Sequence, residues 1–158
     1  MANLIRLYIK ILSSLSWLPP LAARAWFGWK IFEAGKGKLF GNMDNVVNYF
    51  DSLGIPLPEA NAYLAAGTEF GGGLLLMAGL GTRLAALPLT ITMVVAFLTA
   101  HLDPFQKAIE GGQAYMPAFL DQTPGIYLLA FLYLLFAGPG PISVDGLIAS
   151  KQDEEEAA

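Results

Sequence analysis

One carboxylate stands apart in this chain. Glu69 interrupts an otherwise uncharged run from Ala60 to Leu80, and Gly71, Gly72 and Gly73 follow it closely. In a helix over that run Glu69 lies roughly 13 Å from the nearer end, at ~1.5 Å per residue. A carboxylate at that depth either takes up a proton or finds a cation. Two kinds of chemistry follow: an ion pair that locks helices together, or a ligand or proton site. The three glycines let a neighbouring helix come close. Arg24 and Lys30 sit in another apolar stretch, and an antiparallel neighbour would carry one of them to Glu69. The expected lock is Arg24–Glu69 or Lys30–Glu69.

A second group gathers at the ends of the apolar runs. His101 closes one run and Asp103 follows it, Lys38 closes another, and Glu59 opens a third. In an antiparallel bundle these four line a common mouth suited to a polar or anionic headgroup, where His101 can pass a proton near neutral pH. Plainer roles compete, with Asp103 capping the next turn and His101 anchoring at an interface. Arg24, Lys38, Glu69, His101 and Asp103 are thus the ligand or proton candidates. Glu33 is expected to pair with Lys30 or Lys36 at helical spacing. Arg24, Lys30, Glu33, Glu69 and Arg83 are the residues for structural ion pairs. Trp17 suits an aromatic belt, whereas Trp26 and Trp29 lie deeper, as packing residues.

These side chains must be held by something other than a water-soluble core. Of 158 residues, 55 % are hydrophobic and 14 % charged, against roughly 25 % charged in ordinary soluble domains, and mean hydropathy is +0.52. The length suits a single domain, 1–158. Apolar runs cover about 18–39, 60–80, 83–101 and 122–142, each near the ~20 residues that a helical membrane span needs. Segments such as LLLMAGL and LLAFLYLLF do not alternate, which excludes barrel strands. The expected fold is all-α: a four-transmembrane-helix bundle preceded by an interfacial amphipathic helix over Leu4–Trp17, whose polar side carries Arg6, Lys10, Ser13 and Ser14. Residues 1–25 are read as retained rather than as a cleaved signal, because serines break the apolar core.

On the first span Arg24, Gly28, Ile31, Gly35 and Lys38 share one face, taken as the inner one. Val46, Val47, Phe50 and Leu53 stripe a short helix expected to lie over the bundle mouth as a lid. Gly79–Thr82 is a tight hairpin. The two long connections fall on one side and both termini on the other, with a small positive-inside bias toward cytoplasmic termini. The net charge of −4 sits mostly in the acidic tail, 151–158, where Asp153, Glu154, Glu155 and Glu156 fall together.

Much is excluded. Cysteine is absent and histidine single, so no disulfide, thiolate metal site, multi-histidine metal site or thiol redox chemistry resides in one protomer. No basic stripe for nucleic acid, phosphate-binding loop or self-contained catalytic motif occurs.

Five segments in order carry a resemblance: FEAGKGKL (32–39), SLGIPLP (52–58), TEFGGGLLLMAGLGTRLAALPL (68–89), MVVAFLTAHLD (93–103) and GPGPISVDGL (138–147). Over about residues 18–148 the chain resembles the DoxX family of bacterial integral membrane proteins. The resemblance implies a multi-pass protein of the cytoplasmic (inner) membrane. It further implies a small subunit associated with redox chemistry, a quinone-linked oxidoreductase partner in thiol and oxidative-stress defence or sulfur metabolism. The family's recurring glutamate, arginine and first-helix lysine fall on Glu69, Arg83 and Lys38. Quinone is the cofactor so implied; the partners are the lipid bilayer, a redox protein and a second copy of the chain, for which the glycine-rich faces leave room. The competing reading is a non-catalytic membrane scaffold or small-molecule permeation protein.

Overall fold

Two antiparallel helices, α2 (Leu18–Gly41) and α4 (Pro58–Ala78), form the closest packing in the molecule. The molecule is a computed structural model describing residues 2–156; Ala157 and Ala158, at the end of the acidic tail, lie outside the described residues. It is all-helical, and no strand forms among the described residues. Glycine sets the α2–α4 distance. A Cβ on Gly35 would collide with the backbone of Ala66, Glu69 and Phe70, and one on Gly73 would lie 2.6 Å from the Phe32 nitrogen. Arg24, Gly28, Ile31 and Gly35 are the buried residues of α2 with Pro20, the face that the periodicity marks as inner. Pro19 and Pro20 start the helix, where a missing N–H costs nothing.

A short hairpin joins α4 to α5 (Thr82–Ala96). Gly79 and Gly81 both adopt positive φ, +68° and +57°, which side chains resist. The Gly79 N–H donates to Leu76 O (3.1 Å) and the Leu80 N–H to Leu75 O (3.0 Å), ending α4 in a Schellman turn. The segment leading into α9 (Val144–Glu156) tucks beneath this turn. The Asp145 carboxylate accepts from the N–H groups of Gly81 (2.8 Å) and Thr82 (3.1 Å), capping α5. The Arg24 guanidinium donates to the Ile142 carbonyl. Loss of such a cap costs about 1–2 kcal/mol. Asp145→Ala should therefore lower the melting temperature of the detergent-solubilised protein, and an unchanged melt would refute the cap.

Helix α5 runs on through a π turn, Phe97–His101, into α6 (Leu102–Glu110). His101 is thus inside a continuous helical rod, Thr82–Glu110, rather than at the end of a span closing at 101. Pro104 explains the π turn. Its ring would press on the Ala100 carbonyl in a regular α-helix, and the wider turn just before it absorbs the misfit. Then α7 (Tyr115–Asp121) meets α8 (Thr123–Ala137) at a 95° bend. Phe131 and Leu134 of α8 pack with Ile31, Leu76, Ala85, Ala86, Leu89 and Met93 to form the core.

Helices occupy the four expected span ranges, yet among the described residues only Thr82–Glu110 is by itself long and apolar enough to cross a membrane, with the bent α7–α8 pair a second. Charges on α2, and Glu59 and Glu69 with several glycines on α4, dilute those two helices. Gly138, at φ +79°, stops α8 five residues before 142, leaving ~22 Å of helix. The surface is nonetheless inverted relative to a soluble protein: Arg24 and Glu69 are 1 % and 4 % exposed, while Leu84 and Phe136 are 80 % and 76 % exposed. Helix α1 (Ala2–Ser14) is exposed over residues 4–14, its apolar side included. Trp26 and Trp29, expected as packing residues, also face outward. The short helix α3 (Met43–Ser52) packs on α2 and α4.

Candidate functional site

The α2–α4 register decides which cation reaches Glu69. With Gly35 wedged against Ala66–Phe70, the residue one turn further along α2 is Lys38, and its Nζ lies 2.6 Å and 2.7 Å from Oε1 and Oε2 of Glu69. The expected Arg24–Glu69 and Lys30–Glu69 pairs do not form. Arg24 sits roughly 21 Å back along α2, clamped on the Ile142 carbonyl at the hairpin end. Lys30 lies over the Trp26 ring at 5.4 Å and Lys36 over Phe32 at 6.0 Å, and Glu33 is exposed without either as an ion partner. Arg83 donates to the Phe136 carbonyl (3.2 Å), tying the start of α5 to the end of α8. Lys38–Glu69 is the ion pair found among the described residues.

That pair borders a partly open cavity of about 600 Å³ lined by residues of α2, α3, α4, α5 and α8, within the range that holds a small organic ligand. Its lining is mainly apolar, with Val46 and Phe50 of α3 and the adjoining Leu53 over it. This is the lid expected from the sequence, though Val47 turns elsewhere. Beside Lys38 and Glu69 stand His101 and Tyr127, with Tyr49, Asn61 and three threonines elsewhere on the lining, and His101 Nδ1 lies 3.1 Å from Oε1 of Gln122. Asp103 and Glu59 are exposed and outside the cavity, so the expected four-residue mouth reduces to Lys38 and His101. Asp103 lies in the first turn of α6 without a capping hydrogen bond from its side chain.

A family model for DoxX matches residues 20–102, the stretch that contains Arg24, Lys38, Glu69 and His101. The chain belongs to the DoxX family.

Among curated relatives, this DoxX protein is 31 % identical over 136 residues to an uncharacterized protein of Haemophilus influenzae, covering 81 % of this chain and 82 % of that one. It is 33 % identical to the inner membrane protein YphA of Escherichia coli, over 70 % of this chain and 76 % of YphA. It is 34 % identical to "Putative oxidoreductase CatD" of Bacillus subtilis, over 57 % of this chain and 66 % of CatD. No solved structure matches. A DoxX protein with such relatives is a membrane protein, which accounts for its exposed apolar surface. Sequence reasoning passed over Tyr49, Gln122 and Tyr127 as site residues. Tyr127 alone left a trace, as a polar tip in the run GIYLLAFLYLLFA.

Proposed function

We propose that this DoxX protein is a four-span subunit of the bacterial cytoplasmic membrane, its termini cytoplasmic, that holds a quinone headgroup for a partner oxidoreductase. The observation that carries the reading is the Lys38–Glu69 pair on the wall of a mainly apolar cavity. A quinone headgroup is a flat, largely apolar ring with carbonyl oxygens that only accept hydrogen bonds. Lys38 is an acceptor's partner: its ammonium has a third N–H beyond the two given to Glu69. Glu69 fixes the Lys38 side chain at the cavity wall through both carboxylate oxygens. Tyr127 and His101 add two groups able to donate or relay a proton. Electrons come from the partner, since the chain carries no thiol. The name of the Bacillus relative points the same way.

The protein purified from bacterial membranes in mild detergent should retain quinone detectable by mass spectrometry. Glu69→Gln frees Lys38 from its anchor and should weaken quinone binding about tenfold or more, the loss of one charge-assisted hydrogen bond. Absence of any bound or bindable quinone would overturn the reading in favour of a scaffold or permeation protein. Undiminished binding by Glu69→Gln would remove that residue from the site.

A further inference from the structure

We propose that the ligand enters this cavity sideways from the bilayer, through a slot between α4 and α5, and is an amphiphile whose apolar chain remains in the slot. The inference rests on the reading of the cavity as a headgroup site and adds the route and the shape of the ligand. Below the slot the two helices close tightly. A Cβ on Gly72 of α4 would lie 2.9 Å from Leu89 Cδ1 of α5. Above that point both helices turn exposed side chains onto the cavity. Leu64 of α4 and Ile91 and Val95 of α5 all line the cavity, and they are 67 %, 56 % and 47 % exposed. A large side chain that both lines a cavity and stands this open marks a rim. The rim is mainly aliphatic, the hydroxyls of Thr92 and Thr99 on it being turned back onto the Pro88 and Val95 carbonyls of their own helix, and it merges with the exposed Leu87 and Leu98 of the same rod.

The other approach, from the aqueous end, is covered by α3 and the residue after it, with Val46, Phe50 and Leu53 lining the cavity. Tyr49, whose ring carries a polar hydroxyl, is the one lining residue of α3 that stands exposed, at 51 %. A water-soluble ligand gains nothing from an aliphatic doorway and pays desolvation to cross it. An alkyl or isoprenoid chain lies in such a slot at no cost, because hydrocarbon surrounds it on either side of the rim. A cavity of about 600 Å³ takes a ring and the first part of a chain, and a longer chain must leave. The slot supplies the exit at the depth of the lipid tails.

The test uses the full chain in nanodiscs of phosphatidylethanolamine and phosphatidylglycerol. One probe is a dimethoxy-methyl-benzoquinone bearing a decyl chain with a diazirine near the ring. A second is the same ring without the chain, and a third is decyl alcohol carrying the same diazirine. On irradiation the tailed ring should label Leu64, Ile91 or Val95. Ile91→Trp should slow its association about tenfold, a steric effect on encounter, and leave the tailless ring within about twofold. Labelling of Tyr49 in α3, or of Leu53 or Ile55 just after it, would overturn the lateral route. So would equal slowing of both rings, or none of either. The alcohol separates the two readings. If neither ring binds but the alcohol labels the slot, the quinone headgroup falls and the amphiphile slot stands. If neither diazirine probe labels the slot, the slot falls.

Discussion

Gly35→Leu should leave almost no correctly folded protein in the membrane, and what survives should have lost the Lys38–Glu69 pair. The atoms that a Cβ would meet at position 35 are backbone atoms of α4, which cannot rotate aside as a side-chain end can. The whole of α2 has to move off α4. Overpacking of this kind costs about 3 kcal/mol, occasionally more, against a total stability of roughly 5–15 kcal/mol for a domain. The same shift draws Lys38 away from Glu69 and leaves a buried carboxylate without its cation, adding to the loss. Gly37→Leu is the matched control. It lies two residues away on the same helix, a Cβ there meets nothing within 4 Å, and replacing glycine favours the helix. Size-exclusion profiles and melting curves in detergent read the difference. Equal behaviour of the two variants would mean that glycine does not set the α2–α4 distance.

The contrast between positions 35 and 37 also shows what the sequence could and could not reveal. Periodicity reports which residues share a face, and it placed Arg24, Gly28, Ile31 and Gly35 on the inner side of α2, where the structure buries them. It does not report axial register, the sliding of one helix along another. That depends on contacts made jointly by Gly28 and Gly35 with Ala66, Gly73 and Leu76, a property of two segments separated by more than thirty residues. Hence Glu69 was recognisable as the buried acid while its partner was not. Lys38 follows only once Gly35 is set against Ala66.

The same limit applies at His101. Its place at the end of an apolar run was legible, but the π turn that keeps α5 continuous through it answers to Pro104 and to the helix beyond. For α3 the apolar stripe placed Val46, Phe50 and Leu53 on the cavity but not Val47, because a helix of ten residues whose apolar side chains stay only half-buried settles on fewer contacts than its stripe offers. Trp26 and Trp29 show the converse: in a lipid-facing protein, depth along a span does not imply burial in protein.

Separating the structural from the ligand-binding role of the Lys38–Glu69 pair calls for both single replacements and the double. Lys38→Met strands the Glu69 carboxylate, which is 4 % exposed, and breaking a buried pair from one side costs about 3–5 kcal/mol. Lys38 itself keeps a third of its side chain exposed, so Glu69→Met, which strands the lysine, should cost less than half of that, about 1–2 kcal/mol. Replacing both with methionine removes the stranded charge along with the pair, and such apolar exchanges are often neutral or stabilising. The double variant should therefore melt within a few degrees of the parent and well above Lys38→Met. Quinone binding should not recover with it. A pair kept only to lock α2 to α4 would have its work done equally well by two methionines, and the double variant would then bind as the parent does. Restored stability with binding still lost leaves the ammonium group itself as what the ligand requires, because shape, volume and helix packing have all been returned while the donor has not.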